Sequence, residues 1–240
     1  MTTREHIYGD YFSGGVPSYL WFDIQIDDLR DIVKEKSDKG QGRIPELCFI
    51  SLLAYTEVFF KEQFASLINI CPDLLHELKR NSHIVNIDAT ALLTLGDDLK
   101  NKIGCALAET YDFGTAKSIN SIYQSLLKVS PFSKDEKDKF DQLLADRNLI
   151  VHHGGTYTIK YLQQKLGTSH PAVKDMAYKK LLAITPEKFL SAVSFIEGIA
   201  FKTSEATQEA LKAFVKNNNI ELDSAQEKAV QVLTWRLSSS

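Results

Sequence analysis

Residues 146–155 read Asp-Arg-Asn-Leu-Ile-Val-His-His-Gly-Gly. On a helix, at about 100° per residue, Phe140, Leu144 and Val151 share one apolar stripe, with Leu143 and Ile150 at its side and Arg147 in its middle. Asn148 and His152 are i and i+4, so they stack along one edge of that stripe. A guanidinium in an apolar stripe is costly without an anionic partner or hydrogen bonds. Three partners are open to it: the carboxylate of Glu57, an anionic substrate, or a second subunit that builds a wet cleft there. His152 adds a group able to take or give a proton near neutral pH. The same residues also have a purely structural reading. His152 and His153 lie in the last helical turn, where they suit the dipole and the final carbonyls. Arg147 can snorkel, or pair with Glu57 to orient helices.

Other chemical signatures are missing from the sequence. It holds no P-loop, GxGxxG, HExxH or GxSxG. His6, His76, His83 and His170 are scattered without ligand spacing and read as surface or capping residues. Cys48, Cys71 and Cys105 are odd in number and form no CxxC pair, which argues against a disulfide framework or a structural zinc site. They read as small apolar residues of a reducing, cytoplasmic compartment. The expectation is therefore a site with no metal and no cofactor. Lys134, Lys137 and Lys139 alternate with Asp135, Glu136 and Asp138 as a solvated face, whereas Lys160, Tyr161 and Lys165 follow the Arg–His segment closely enough to line a cleft beside it.

The elements that must position these residues are helical. An irregular arm containing Gly14, Gly15 and Pro17 precedes a helix from Trp21 to about Lys36, with Phe22, Ile26, Leu29 and Val33 at helical spacing and Gly40 and Gly42 to end it. A long helix opens at Pro45, runs apolar on nearly every side, and stops at about Ile70 before Pro72. A short helix spans Pro72 to Lys79. Asp88 caps a helix to about Glu109, and Ile119 to Leu127 mark another. Ser133 and Glu136 form a capping box for the helix that carries the Arg–His segment, which Gly154 and Gly155 close. The stretch from Thr156 to Leu166 fits either a short strand or a loop leading into a turn of helix. A helix from Pro186 continues towards Phe214, Asn217 to Asn219 interrupt it, and a last helix runs from about Ser224 to Trp235. The class is all-α: a helical bundle over 45–216, an N-terminal arm and helix over 1–44, and a C-terminal helix over 217–240.

The chain has 240 residues, 28 of them basic and 31 acidic, for a net charge of −3. This excludes a polybasic whole-chain nucleic-acid binder, so any RNA affinity must come from a local patch. At 44% hydrophobic and 25% charged residues, the composition is that of a globular protein with a sizeable core. The N-terminus has no apolar signal core. The most apolar stretch, Leu47 to Phe60, carries Glu57 and falls short of the roughly 18 residues that span a bilayer, so no membrane association is expected.

The series Arg147-Asn148-x-x-x-His152, late in an apolar helix of an all-α chain and followed by glycines, resembles the HEPN superfamily signature of Arg, a polar residue and a spaced His. The resemblance covers roughly Pro45 to Gly155, with the helix from Pro186 as a further bundle element. It implies a HEPN-like bundle of four to five helices that forms a homodimer through the motif-bearing helices, so that two motifs meet in one cleft. It further implies a metal-independent endoribonuclease acting in toxin–antitoxin pairs or phage defence, with RNA as substrate and an antitoxin or defence protein as partner. In that reading His152 serves as acid or base, Arg147 holds the scissile phosphate, and Asn148 orients the imidazole or binds phosphate. Glu57, His153 and Tyr157 are possible supporting residues. Toxins of this kind that a nucleotidyltransferase silences often carry a tyrosine two residues after the His. Here that position is Gly154 and the nearest tyrosine is Tyr157, which departs from the pattern. The alternative is a non-catalytic HEPN dimer that binds a protein or nucleotide, and a third reading is a helical interaction domain unrelated to HEPN.

Overall fold

Long amphipathic and apolar periods with few β-branched runs leave this chain one way to satisfy its backbone, and the computed structural model is all-α. It describes residues 6–37 and 42–236, so Gly40, expected to end the first helix, lies outside the described residues. Eleven α-helices are described: α1 (Ser18–Ser37), α2 (Ile44–Ile70), α3 (Leu74–Arg80), α4 (Ala89–Leu95), α5 (Leu99–Ala108), α6 (Ala116–Leu127), α7 (Lys134–His153), α8 (Ile159–Leu166), α9 (Ala172–Met176), α10 (Pro186–Asn217) and α11 (Ser224–Val232). Short 3-10 turns occupy Tyr8–Tyr11, Ser13–Gly15 and Gly96–Asp98. Among the described residues the extended pairing amounts to one antiparallel bridge, Thr156 to Leu181. No described helix is long and apolar enough to cross a membrane.

Several elements differ from the sequence expectation. α1 starts at Ser18, directly after Pro17, whose carbonyl accepts the Trp21 amide at 3.0 Å. The helix expected over Asp88–Glu109 is two helices, because Gly96 adopts φ 50°, ψ −123°, a conformation closed to ordinary side chains. Asp88 does cap the first of them, accepting the Thr90 amide at 2.7 Å. The ambiguous stretch after the glycine pair combines both options, with the bridge at Thr156 and then α8. α10, by contrast, runs from Pro186 and ends at Asn217, where the asparagine run is expected to interrupt it.

The chain groups into two compact units. One lies within Met1–Ile24, Thr56–Phe132 and Glu197–Ser240, the other within Gln25–Tyr55 and Ser133–Ile196. This grouping follows packing, whereas the division at 44 and 216 follows order along the chain.

The first unit is organised around aromatic and amide side chains of α2. Phe60 meets Tyr123 edge-on at 5.8 Å between ring centroids and Phe132 at 5.6 Å. The Tyr123 hydroxyl donates to the Phe60 carbonyl at 2.8 Å and lies 3.0 Å from Gln63 Oε1, while Gln63 Nε2 donates to Ser204 Oγ at 3.0 Å. These groups are fully buried, and burial is tolerable because each polar atom has a partner. Asn69 does the same for chain segments: its Nδ2 donates to the Tyr11 carbonyl at 3.1 Å, and its Oδ1 accepts the Gly104 amide at 2.7 Å. That last contact brings α5 so close to α2 that a Cβ at position 104 would stand 2.1 Å from the Ala65 carbonyl oxygen.

Gly104→Ala should therefore destabilise the protein by about 1–3 kcal/mol or more, the ordinary cost of overpacking. Urea unfolding of the variant beside Gly114→Ala, whose Cβ meets only the Asp112 side chain at 3.0 Å, measures this.

Candidate functional site

The Arg–His segment lies at the end of α7, in the second unit. At the start of the helix the capping box forms as the sequence foretells: Ser133 Oγ accepts the Glu136 amide at 3.4 Å, and Glu136 Oε2 accepts the Ser133 amide at 2.7 Å. At its end Gly154 enters the left-handed region at φ 59° and Gly155 follows at φ 83°, its amide donating back to the Leu149 carbonyl at 3.1 Å. Gly155 is buried, and a Cβ there would stand 3.2 Å from the Leu182 carbonyl oxygen. The chain then pairs with residues 178–182. Leu182 donates to Gly155, Tyr157 to Lys180, and Tyr178 to Tyr157, at 2.8, 3.1 and 2.8 Å. This clip returns the backbone so that α8 starts beside the end of α7.

The face that α7 buries is not centred on Arg147. Its buried residues are Phe140, Leu143, Asp146, Leu149 and Ile150, whereas Val151 is 48% exposed. The expected stripe is thus turned by about one residue, and the charge at its heart is Asp146, at 1% exposure. Asp146 carries no sign of burial in the sequence. Its carboxylate accepts from Tyr161 Oη, Gln142 Nε2 and Lys188 Nζ, each at 2.6 Å, and Lys165 Nζ stands 3.9 Å away. Burial alone would push the carboxyl up. The Lys188 ammonium, the Tyr161 hydroxyl and Lys165 outweigh burial and hold it below its usual value. Burial, together with the same carboxylate, pushes the Tyr161 phenol far above its ordinary range. Lys188 opens α10 and Tyr161 sits on α8, so one carboxylate ties three helices of this unit. Tyr157 stacks on Tyr161 at 5.6 Å with an interplanar angle of 14°.

The packing of α8 on α7 leaves a cleft of about 210 Å³ lined by Ala145, Asn148, Leu149, His152, His153, Thr158, Lys160, Tyr161 and Gln164. Asn148, His152, His153 and Lys160 are exposed. Thr158 caps α8, accepting the Tyr161 amide at 3.2 Å. The structure therefore brings Asn148, His152 and His153 together and adds Lys160 to them. Arg147 is half-buried at the edge of the stripe and does not line the cleft; its Nη1 donates to Asn148 Oδ1 at 2.9 Å, and its buried Nε has no hydrogen-bond partner. Tyr157 stands behind the cleft, against Tyr161. Glu57 is an exposed residue of the first unit, so it is not the buried acid that the sequence reading offered as a partner for Arg147. Among the described residues no group of three or more His, Cys, Asp or Glu side chains is arranged to hold a metal ion. The arrangement can grip an anion with Lys160 and the Asn148 amide, and it can move protons through two exposed imidazoles.

Asp146→Ala should cost about 3–5 kcal/mol, because it strands the Lys188 ammonium and a buried phenol. The pH dependence has a definite sign. A carboxyl held below its unfolded value of about 3.9 stabilises the fold above that value, and the contribution is lost as pH falls through the lower, folded value. The urea midpoint of the parent should thus fall with acid more steeply than that of Asp146→Asn below about pH 4.

Compared with protein-family models, with curated proteins and with solved structures, the chain matches none, so the site is read from its own residues.

Proposed function

We propose that this protein is an endoribonuclease of the HEPN type that cleaves RNA without a metal, in a cytoplasmic toxin–antitoxin or antiviral role. The observation that carries the reading is the shared cleft: Asn148 and His152 of the Arg-Asn-x-x-x-His series line it together with a second histidine and a lysine. The resemblance of that series to the HEPN signature supplies the reaction class. The 2′-hydroxyl attacks the adjacent phosphorus, the bond from phosphorus to the 5′-oxygen breaks, and the products end in 2′,3′-cyclic phosphate and 5′-hydroxyl. One His152 takes the proton from the 2′-hydroxyl. A second copy of the motif, brought in by a homodimer, gives a proton to the departing oxygen. Lys160 and Asn148 hold the phosphate, and Asn148 also fixes one end of the Arg147 guanidinium. With its Nε unpartnered, Arg147 is the group whose surroundings are completed when the second copy and the substrate arrive.

A second reading has one observation in its favour: Arg147 is turned onto Asn148 and away from the cleft lining. That suits a non-catalytic dimer which binds a protein or nucleotide and uses Arg147 as a structural cation.

Purified protein incubated with total cellular RNA in EDTA separates the two. Cleavage by the parent, lost by about 10²–10⁴-fold in His152→Ala as for removal of a general acid–base group, and lost likewise in Arg147→Ala, with 2′,3′-cyclic phosphate ends, is the expected result. Parent and variants equally inactive on RNA would leave the binding module as the function.

A further inference from the structure

The chain as a whole is acidic, yet one part of it is not. Between residues 147 and 182 the sequence carries Arg147 and five lysines, at 160, 165, 174, 179 and 180, against the single acid Asp175. All five lysines are exposed, and three of the six histidines, His152, His153 and His170, stand exposed in the same span. Lys165 reaches towards Asp146 and Lys179 donates to the Lys174 carbonyl. Among the described residues, no carboxylate is paired with Lys160, Lys174 or Lys180. A run of this sign in a chain of net charge −3 is a local attraction for a polyanion.

A second feature sits in the same span. Another cleft, of about 670 Å³, has walls that include Ile159, His170, Lys174, Asp175 and Tyr178. Consecutive residues at the start of α8 line the two clefts: Thr158 and Lys160 the first, Ile159 the second. Tyr178 is 66% exposed although it is a large aromatic residue. Its backbone is in the left-handed region at φ 58°, and its amide is held by the Tyr157 carbonyl at 2.8 Å. A non-glycine residue keeps such a conformation only where its surroundings impose it. Here the clip to Tyr157 imposes it and leaves the ring in solvent. An exposed ring beside unpaired lysines is the pairing that single-stranded nucleic acids use, with bases stacked on the aromatic and phosphates on the cations.

We propose that the cleft between α8 and α9 is a nucleotide subsite for single-stranded RNA, with one base stacked on Tyr178 and a phosphate of the strand on Lys174, and that it leads the strand past Lys160 into the His152 cleft. This rests on the ribonuclease reading for its direction. The subsite itself is a binding claim and stands or falls separately. It also supplies the local patch that the acidic chain requires for RNA affinity.

The test uses full-length His152→Ala protein, which leaves the bound strand intact, and fluorescence anisotropy of a labelled single-stranded RNA of about ten nucleotides, long enough to cover one site of this kind. In that background Tyr178→Ala should weaken binding about tenfold, the loss expected on removing one stacking aromatic. Lys174→Ala should lower the slope of log affinity against log salt by about 0.7, the value for one phosphate contact on a single strand. Both residues are exposed, so circular dichroism and the urea midpoint should not move. Unchanged affinity and slope in these variants overturn the subsite, as does equal binding of a polyglutamate peptide, which would make the patch a surface for any polyanion. If the strand binds as described but the parent cleaves no RNA, the ribonuclease reading fails and the subsite stands. If the parent cleaves but the variants bind like their background, the reverse holds.

Discussion

A carboxylate taken out of water is tolerable only where cations and donors replace the water it gave up. Asp146 meets that condition with four side chains, and each comes from a different position relative to it: Gln142 one turn earlier on α7, Tyr161 and Lys165 on α8, and Lys188 at the head of α10. Much of the second unit follows from this one contact. α8 has only eight residues, too few to be stable alone. It is kept as a helix in this place by the Thr158 cap at its start, by Tyr161 on Asp146, and by the buried Leu162. With α8 in place, Lys160 faces the end of α7 across the cleft that His152 lines. Whether such a buried ion cluster stabilises more than an apolar packing would is a separate matter from what it specifies. Two helices that approach through leucines alone have several registers open to them. Two helices that must meet at one carboxylate have one.

The opposite end of the arrangement is set by backbone geometry. Gly154 and Gly155 take positive φ values that ordinary side chains resist, and the Leu182 carbonyl passes close behind Gly155. The turn halts α7 within one residue of His153, so both imidazoles stand at the open end of the helix, where its last carbonyls lie. The structural and the chemical readings of these histidines are therefore compatible. A histidine that suits a helix C-terminus electrostatically is also held where a substrate can reach it.

Where the information was local, the sequence was easy to read. The capping box at Ser133, the glycine stop after His153, the opening of α10 at Pro186 and the apolar run of α2 each depend on neighbours within a few positions. What was not legible depended on partners far along the chain. Counting apolar residues on α7 gave weight to Val151 and Leu144 and placed Arg147 at the centre of the buried face. The real centre lies towards Asp146, because Lys188 arrives from 42 residues away to neutralise it. An aspartate in a helix reads as a solvent residue until its cation is known. Glu57 shows the converse: an acid within the most apolar stretch of the sequence looked buried, yet α2 turns it outward. The short helix α9 and the clip at 155–182 carry no periodic signal, so the second cleft is out of reach of sequence reasoning; Lys160 and Tyr161 line the first cleft as their nearness to His152 suggests, whereas Lys165 does not line it and turns to Asp146 and Tyr161.

Arg147 gathers these threads. Its neighbour Asp146 would be the natural counter-ion by distance along the chain, but successive residues on a helix point about 100° apart, and Asp146 is already committed inward. Arg147 is left with one bond to Asn148 and a buried Nε–H without an acceptor. An orphaned donor of this kind costs about 1–3 kcal/mol. Arg147 stays off the cleft that Asn148, His152, His153 and Lys160 share, so its one bond to Asn148 is its only link to that lining. The most polar demand on α7 and its exposed imidazoles thus lie within six residues of each other but in different surroundings: Arg147 is tied to Asn148 off the cleft, and the two histidines line it.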